Sequence, residues 1–250
     1  MRRDESFTVG QHVVLDVELA AGSILLRTGS AEIVSISIDA SAAEGFDIGQ
    51  IGDNITIRAS RRGRSARVVA EVPTGTDVNI KGASVDVSSQ GALGTLRVRS
   101  VSGDVRADDL VRAEVSIASG DTRLDLVRND ATVKATSGDV FVRAVGGRLI
   151  ATLASGDIQA DDVAGDAEVE TASGDVTIRR CTGSAVTVRT VSGDIRLGLP
   201  PGIRVDPEIS TMSGKVALPD PAPSSPAEQR RSVRVRLRSI SGDIRIERAG

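Results

Sequence analysis

The sequence predicts an all-β solenoid, a single-stranded parallel β-helix, on three observations. The tripeptide Ser-Gly-Asp recurs about every 18 residues through the second half of the chain. Aliphatic residues hold one phase relative to it, and no stretch shows a sustained helical period. Copies begin at Ser102, Ser119, Ser137, Ser155, Ser173, Ser192 and Ser241, and Ser213-Gly214-Lys215 is an eighth copy with the acid replaced. Successive copies are spaced by 17, 18, 18, 18, 19, 21 and 28 residues.

The elements follow from that alignment. The residue after each Asp is Val105, Thr122, Val140, Ile158, Val176, Ile195 or Ile244, and two further on stand Ala107, Leu124, Val142, Ala160, Ile178, Leu197 and Ile246. Between them lie Arg106, Arg123, Phe141, Gln159, Thr177, Arg196 and Arg245, so apolar and outward residues alternate as in a strand with one buried face. Four residues ahead of each Ser sit Val98, Val115, Val133, Ala151, Val169, Val188, Ile209 and Leu237. A third apolar column, six residues after the Asp, holds Leu110, Val127, Val145, Val163 and Cys181. Each repeat therefore reads as strand, corner, strand, bend and a short third segment. One such unit cannot bury its own apolar face, whereas stacked units can. An antiparallel hairpin array is the rival, but it does not require every repeat to keep one phase. Parallel crossovers are right-handed by strong default, so the expected winding is right-handed.

The flanks are less regular. Residues 1–97 read as irregular N-terminal coils, 98–199 as the regular Ser-Gly-Asp coils, and 200–250 as C-terminal coils, all within one domain. Val13, Leu15, Val17 and Leu19 alternate, then Ile24 and Leu26, then Ile33, Ser35-Ile36 and Ile38, and Ala21-Gly22-Ser23-Ile24 resembles a degenerate corner. Ser41 to Asn54 is expected to be a loop excursion and Ser60 to Ser65 a basic turn, with the repeat pattern resuming at Pro73. Pro219 to Arg231 carries four prolines and is expected to be an inserted surface loop that accounts for the 28-residue gap.

Composition narrows the function. There is no Trp or Tyr, only Phe7, Phe46 and Phe141 are aromatic, and the core must be built of Val, Ile, Leu and Ala. A net charge of −3 with mixed signs gives no nucleic-acid footprint. The single Cys181 excludes an internal disulfide framework and a multi-cysteine metal site. The start has no apolar run after its arginines, and no stretch is long enough to span a bilayer, so the chain is expected to be cytoplasmic unless it is a fragment of a surface protein.

The repeated Ser-Gly-Asp-(Val/Ile), the early Val-x-Leu-x-Val strand before Ala-Gly-Ser-Ile, and the proline-rich gap before a last Ser-Gly-Asp-Ile-Arg-Ile resemble the bacterial putative-adhesin family, a β-strand-repeat domain of unknown function. The resemblance covers nearly the whole chain and is densest from Val98 to Leu199. It implies a parallel β-helix and offers no catalytic residues to carry over.

The residues themselves give little chemistry. His12 is the only histidine and stands before an alternating strand without an evident partner; a general base needs one. Cys181 falls in an aliphatic column, which suits a buried inert thiol. The acid pairs Asp108-Asp109 and Asp161-Asp162 are expected in connectors, where Asp is a normal turn former. Asp104, Asp121, Asp139, Asp157, Asp175, Asp194 and Asp243 are expected to stack along one corner as a structural ladder, each accepting backbone N–H groups of its own corner. Outward arginines such as Arg106, Arg123 and Arg196 would offset their repulsion. The expected function is a non-catalytic structural or adhesin-like module with no cofactor. The alternatives are a carbohydrate-active β-helix enzyme and a calcium-binding β-roll, although Ca²⁺ wants six or more oxygens. Partners are unknown; the one expected contact is weak self-association through the C-terminal edge at Ile246, which stops in phase with no cap after it.

Overall fold

The computed structural model describes residues 1–29, 32–41, 45–59, 65–219 and 232–249. Its backbone contacts fall into two units, Met1–Leu126 and Val127–Gly250.

In unit 1 the strands are β1 (Arg2–Thr8), β2 (Val14–Gly29), β3 (Ile33–Ala40), β4 (Phe46–Ile51), β5 (Asn54–Ala59), β6 (Ser65–Pro73), β7 (Asp77–Ser102), β8 (Val105–Ser119) and β9 (Thr122–Val127), the last ending at the unit's boundary. β2 and β7 run parallel in register, Leu15 beside Val78 and Ile24 beside Val87, and β7 runs parallel to β8 with Val98 beside Val115. Like residues stack on like, so the aliphatic phase of the sequence becomes a continuous core. Leu15, Ile24, Val78, Val87, Val98 and Val105 are all buried.

Beyond β2 the pattern changes. β2 also pairs parallel with β5 and β6, but β3 lies antiparallel on β6, β1 antiparallel on β3, and β4 antiparallel on β5. The expected loop at Ser41 to Asn54 is therefore corrected: Phe46–Ile51 is a strand closed on β5 by a hairpin turn at Gly52, and Phe46 is 1% exposed. Turn residues at Gly52-Asp53 masked a strand whose own alternation is poor. The N-terminal strand Arg2–Thr8, mostly polar, had no sequence signal either. In β3 the inward residues are Val34, Ile36 and Ile38, while Ile33 is turned out. Most of the expected basic turn, residues 60–64, lies outside the described residues.

In unit 2 the strands are β10 (Ala131–Ser137), β11 (Val140–Val145), β12 (Leu149–Ser155), β13 (Ile158–Val163), β14 (Ala167–Ser173), β15 (Val176–Cys181), β16 (Ala185–Ser192), β17 (Ile195–Leu199), β18 (Arg204–Ser213), β19 (Val216–Ala217), β20 (Ser232–Ser241) and β21 (Ile244–Arg248). Every pairing described within this unit is parallel. Val140, Ile158, Val176, Ile195 and Ile244 form one buried register column, and Val133, Ala151, Val169, Val188 and Leu237 form another.

The order of coils in space is not the order in sequence. β20 lies between β16 and β18, and β21 between β17 and β19. The C-terminal strand is thus paired on both sides at Ile244 and Arg245 and is not the outermost strand, which removes the reason given for self-association through Ile246. Among the described residues the edge is β18–β19. β18 carries Pro207 in register with Val235, and a strand with a single partner tolerates a missing N–H because alternate N–H groups point away from that partner. The proline-rich segment falls at residues 220–231, outside the described residues apart from Pro219.

Candidate functional site

The Ser-Gly-Asp corner repeats with polar chemistry. Each corner Gly adopts a positive φ, for example +137° at Gly174, where an added Cβ would lie 2.1 Å from the Gly156 carbonyl oxygen. Only glycine fits such a backbone approach. The turn places the following Asp over its neighbour one coil away.

In unit 1, Asp104 N donates to Asp86 Oδ1 and Asp121 N donates to Asp104 Oδ1, each at 3.0 Å. In unit 2 the same bond links Asp157 N to Asp139, Asp175 N to Asp157, Asp194 N to Asp175 and Asp243 N to Asp194, at 2.8–2.9 Å. The acceptor thus serves the next coil's backbone, not its own corner as the sequence suggested. One oxygen per carboxylate is committed to holding two coils together. The second oxygen meets arginine in places: Arg106 reaches Asp104 Oδ2 at 3.0 Å, and Arg196 reaches Asp194 at 3.3 Å and Asp175 at 3.7 Å. Arg123 lies 3.6 Å from Asp125.

The substituted eighth copy now has a reason. Lys215 N donates to Asp243 Oδ1 at 2.8 Å, so this corner still gives its N–H. It lies on the edge coil, where no further coil among the described residues offers an N–H for an acid to accept. Asp86 was missed in the sequence because its corner reads Ser84-Val85-Asp86, without the Gly; its position 18 residues before Asp104 was the available signal.

The expected bend after the third apolar column is a second corner, whose acids the sequence reading did not single out. Asp130 accepts Arg148 N at 3.0 Å, and in unit 1 Asp77 accepts Thr95 N at 2.6 Å. Asp166 Oδ1 accepts the N–H groups of Ser184 and Ala185 and the Ser184 hydroxyl, at 2.8, 2.9 and 3.0 Å. Partial burial works against charge at Asp166, but these donors and the Arg148 guanidinium outweigh it and hold its carboxyl below the usual range. Gly165-Asp166 and Gly183-Ser184, 18 residues apart, were the sequence trace of this corner.

The other singled-out residues do not converge on anything. His12 is exposed in the bend before β2. Cys181 is fully buried beside Val163; burial pushes its thiol pKa up, and it donates weakly to the Gly165 carbonyl at 3.5 Å. The acid pairs are on strands, β8 and β13, and not in connectors; Asp161 faces Arg179 at 3.3 Å. Hollows of about 300 and 460 Å³ lie in unit 1, one against Glu18 and Lys81 and one against Gln11 and Glu32, and neither is lined by His12, Cys181 or the acid pairs. Among the described residues no three His, Cys, Asp or Glu side chains gather as metal ligands.

Parallel coils with a constant aliphatic interior, pinned at Gly-Asp corners, define a β-solenoid repeat protein. The chain belongs to the Toastrack DUF4097 family, whose description matches residues 13–249. Among solved structures it is similar to a putative adhesin of Bacteroides fragilis, at 14% identity and a TM-score of 0.51, covering 98% of this chain and 97% of that one. It is likewise similar to a putative lipid binding protein of Parabacteroides distasonis, at 13% identity and a TM-score of 0.52, covering 98% and 96%. At such identities the likeness is one of fold. No curated protein matches the chain.

Proposed function

We propose that the chain is a rigid, non-catalytic scaffold with an adhesin-like role. The observation that carries this reading is the contrast between two adjacent columns in unit 2. Inward, Val140, Ile158, Val176, Ile195 and Ile244 are uniformly aliphatic and buried. One residue on, Phe141, Gln159, Thr177, Arg196 and Arg245 stack in the same register but run from aromatic through amide and hydroxyl to cationic. A frame that is constant inside and free to vary outside suits display. The adhesin description of the Bacteroides fragilis protein agrees with that use.

On this reading the ladder of Asp104, Asp121, Asp139, Asp157, Asp175, Asp194 and Asp243 is structural. Each Oδ1 bond to the next coil would have to be given up, or shared, to coordinate a cation, and calcium needs six or more oxygens. Residues 1–250 act as one domain, wound right-handed with about 18 residues per coil; ladder bonds between residues 17–19 apart and the default hand of parallel crossovers support this. Three measurements test the reading. Incubation with a panel of polysaccharides should give no turnover, and reproducible cleavage would overturn the non-catalytic role. Millimolar Ca²⁺ should leave the melting temperature unchanged, and a large rise would make the ladder a cation site. Calorimetry should show one unfolding transition; two separate ones would divide the domain.

A further inference from the structure

We propose that the last two coils of unit 2 have two competing stacking orders, and that Lys215 and Pro207 select the observed one. In sequence the β18–β19 coil follows the β16–β17 coil, yet the β20–β21 coil lies between them. The two outer coils are built alike. Both carry the Ser-Gly corner, at Ser213 and Ser241, and their inward residues match: Val205 with Val233, Ile209 with Leu237 and Val216 with Ile244 are register partners. Either set continues the columns of Val188 and Ile195. The outward residues give the observed order no advantage. Arg238 lies beside Arg189 and Arg245 beside Arg196, whereas Ser210 and Ala217 hold those positions on the β18–β19 coil. Like charges directly opposite are destabilising. Glu170, Glu208, Asp194 and Glu247 offset that repulsion without turning it into a preference.

Backbone bonding supplies the preference. In the observed order two corner bonds form: Asp243 N donates to Asp194 Oδ1 at 2.9 Å, and Lys215 N donates to Asp243 Oδ1 at 2.8 Å. With the coils in sequence order, Lys215 N would take Asp194, and Asp243 N would meet a lysine, which has no acceptor. Pro207 acts in the same direction. Arg234 N donates to Ser184 O, so Arg234 and Arg236 turn their backbone groups to β16, and Val233, Val235 and Leu237 turn theirs to β18. Asp206 and Glu208 then face β20, and the Pro207 nitrogen faces away from it. A β20 strand stacked on that outer side would find no N–H there for the Arg234 carbonyl. Lys215 and Pro207 each deny a bond to any coil placed outside β18–β19, so this coil serves best as the outermost one. Arg248 adds a further contact to the observed order. Its guanidinium bonds the Pro200 and Ile203 carbonyls, at 3.3 and 3.2 Å, in the segment that passes from β17 to β18.

Disulfide trapping in the whole chain tests this. Ser192 and Ser213 are exposed and lie on either side of Ser241. At about 4.8 Å per coil they stand about 10 Å apart, beyond the roughly 7 Å that a disulfide spans. In sequence order they would be neighbours. Cys181 is buried with a raised thiol pKa and does not compete. Chains refolded from urea at low concentration and briefly oxidised should link the pair Ser192→Cys and Ser241→Cys readily, and the pair Ser192→Cys and Ser213→Cys hardly at all. Adding Lys215→Asp and Pro207→Val should raise the second link at least about tenfold, since two hydrogen bonds, each worth roughly fivefold, are returned to the sequence order. Lys215→Ala, which supplies no acceptor, should leave that link unchanged. Ser137→Cys with Ser173→Cys, on either side of Ser155, should stay unlinked in every background. No rise with Lys215→Asp and Pro207→Val, an equal rise with Lys215→Ala, or a matching rise at the Ser137–Ser173 pair would overturn the proposal. So would loss of the Ser192–Ser241 link without a gain at Ser192–Ser213, the result expected if the substitutions only loosen the edge.

Discussion

The outermost strands of the two units are built by different means. In unit 1 the parallel coil at β2 is continued by β6, and then two antiparallel strands, β3 and β1, close over it. Val34, Ile36, Ile38 and Phe46 are buried there, and the Arg3 guanidinium bonds the Phe46 carbonyl at 2.9 Å. In unit 2 the edge coil β18–β19 remains parallel, Val216 and Leu218 stay exposed, and the C-terminal coil has been threaded behind it. One edge is finished by changing strand direction. The other is defended by chemistry on the strand itself: Pro207 removes a donor, and Arg204, Asp206 and Glu208 put charge on it. Both are recognised ways to blunt an open edge. The lesson is that a solenoid's sequence phase reports which residues face inward but not which coil lies outermost.

The sharpest way to break this comparison is at glycine. Gly174→Ala inside the coils of unit 2 forces a Cβ to 2.1 Å from a backbone oxygen at a positive φ. A cost above about 4 kcal/mol is expected, enough to prevent a native melt. Gly52→Ala in the unit 1 hairpin also has a positive φ, but its added Cβ meets nothing within 4 Å. About 1 kcal/mol is expected there. Denaturant melts of the two variants would separate them, and equal losses would mean that close stacking of corners is not what fixes the coil.

Proline gives the next contrast. Ile246 is 2% exposed in a strand paired with β17, and Ile246→Pro should cost about 3 kcal/mol or more while creating no change in assembly. Native Pro207 is exposed on the edge strand β18, which has a partner on one side only, and carries no such cost. Pro207→Val should therefore leave stability within about 1 kcal/mol and restore a donor to the open edge. Sedimentation should then reveal association absent from the wild type. A monomeric Pro207→Val chain at high concentration would show that the charges alone protect the edge.

Much of this was legible in the sequence, for a physical reason. Stacking coils in register forces each column to repeat, so Val140 to Ile244 and Val133 to Leu237 could be aligned by eye. The N-terminal strands were harder, because antiparallel pairing of Phe46–Ile51 with Asn54–Ala59 obeys no repeat. The threading of β20–β21 was not legible at all: Ser213 and Ser241 have the same corner, and only the lost acid at Lys215 hinted which was last. The ladder's residues were visible, but its bonds were not. An Asp at a turn ordinarily serves its own backbone, and only the stacking geometry reassigns it to the neighbour.

A smaller effect is expected at the ladder itself. Asp157→Ala leaves the Asp175 N–H without its 2.8 Å acceptor and should cost about 1 kcal/mol, the net worth of one hydrogen bond at a solvated site. Asp157→Asn keeps an acceptor oxygen and should cost less. Thermal melts of both variants distinguish a hydrogen-bonding role from a purely charged one; if Asn proves as harmful as Ala, the negative charge and not the bond is what the corner requires.

The smallest effect is the pH response of the second corner. Asp166 is half-buried, which alone would raise its pKa, yet the donors from Ser184 and Ala185, with Arg148 nearby, hold it below the ordinary range. A carboxyl whose folded pKa is depressed releases its proton more readily in the folded chain than in the unfolded one. The stability it adds is therefore complete above the unfolded value of about 3.9 and is lost as the pH falls through the lower folded value. Asp166→Asn removes the titration but keeps an oxygen that accepts the same N–H groups. The wild type should be the more stable of the two at neutral pH, and the gap should narrow only below about pH 4. Glu208 on the edge strand is also held low, by Arg238 and Arg236, but it lies in open solvent, so added salt should erase its contribution while sparing that of Asp166. Urea melts across acid pH, at low and high salt, would test both statements. A gap between wild type and Asp166→Asn that stays constant into strong acid would show that the Ser184 and Ala185 donors hold the oxygen and not the charge.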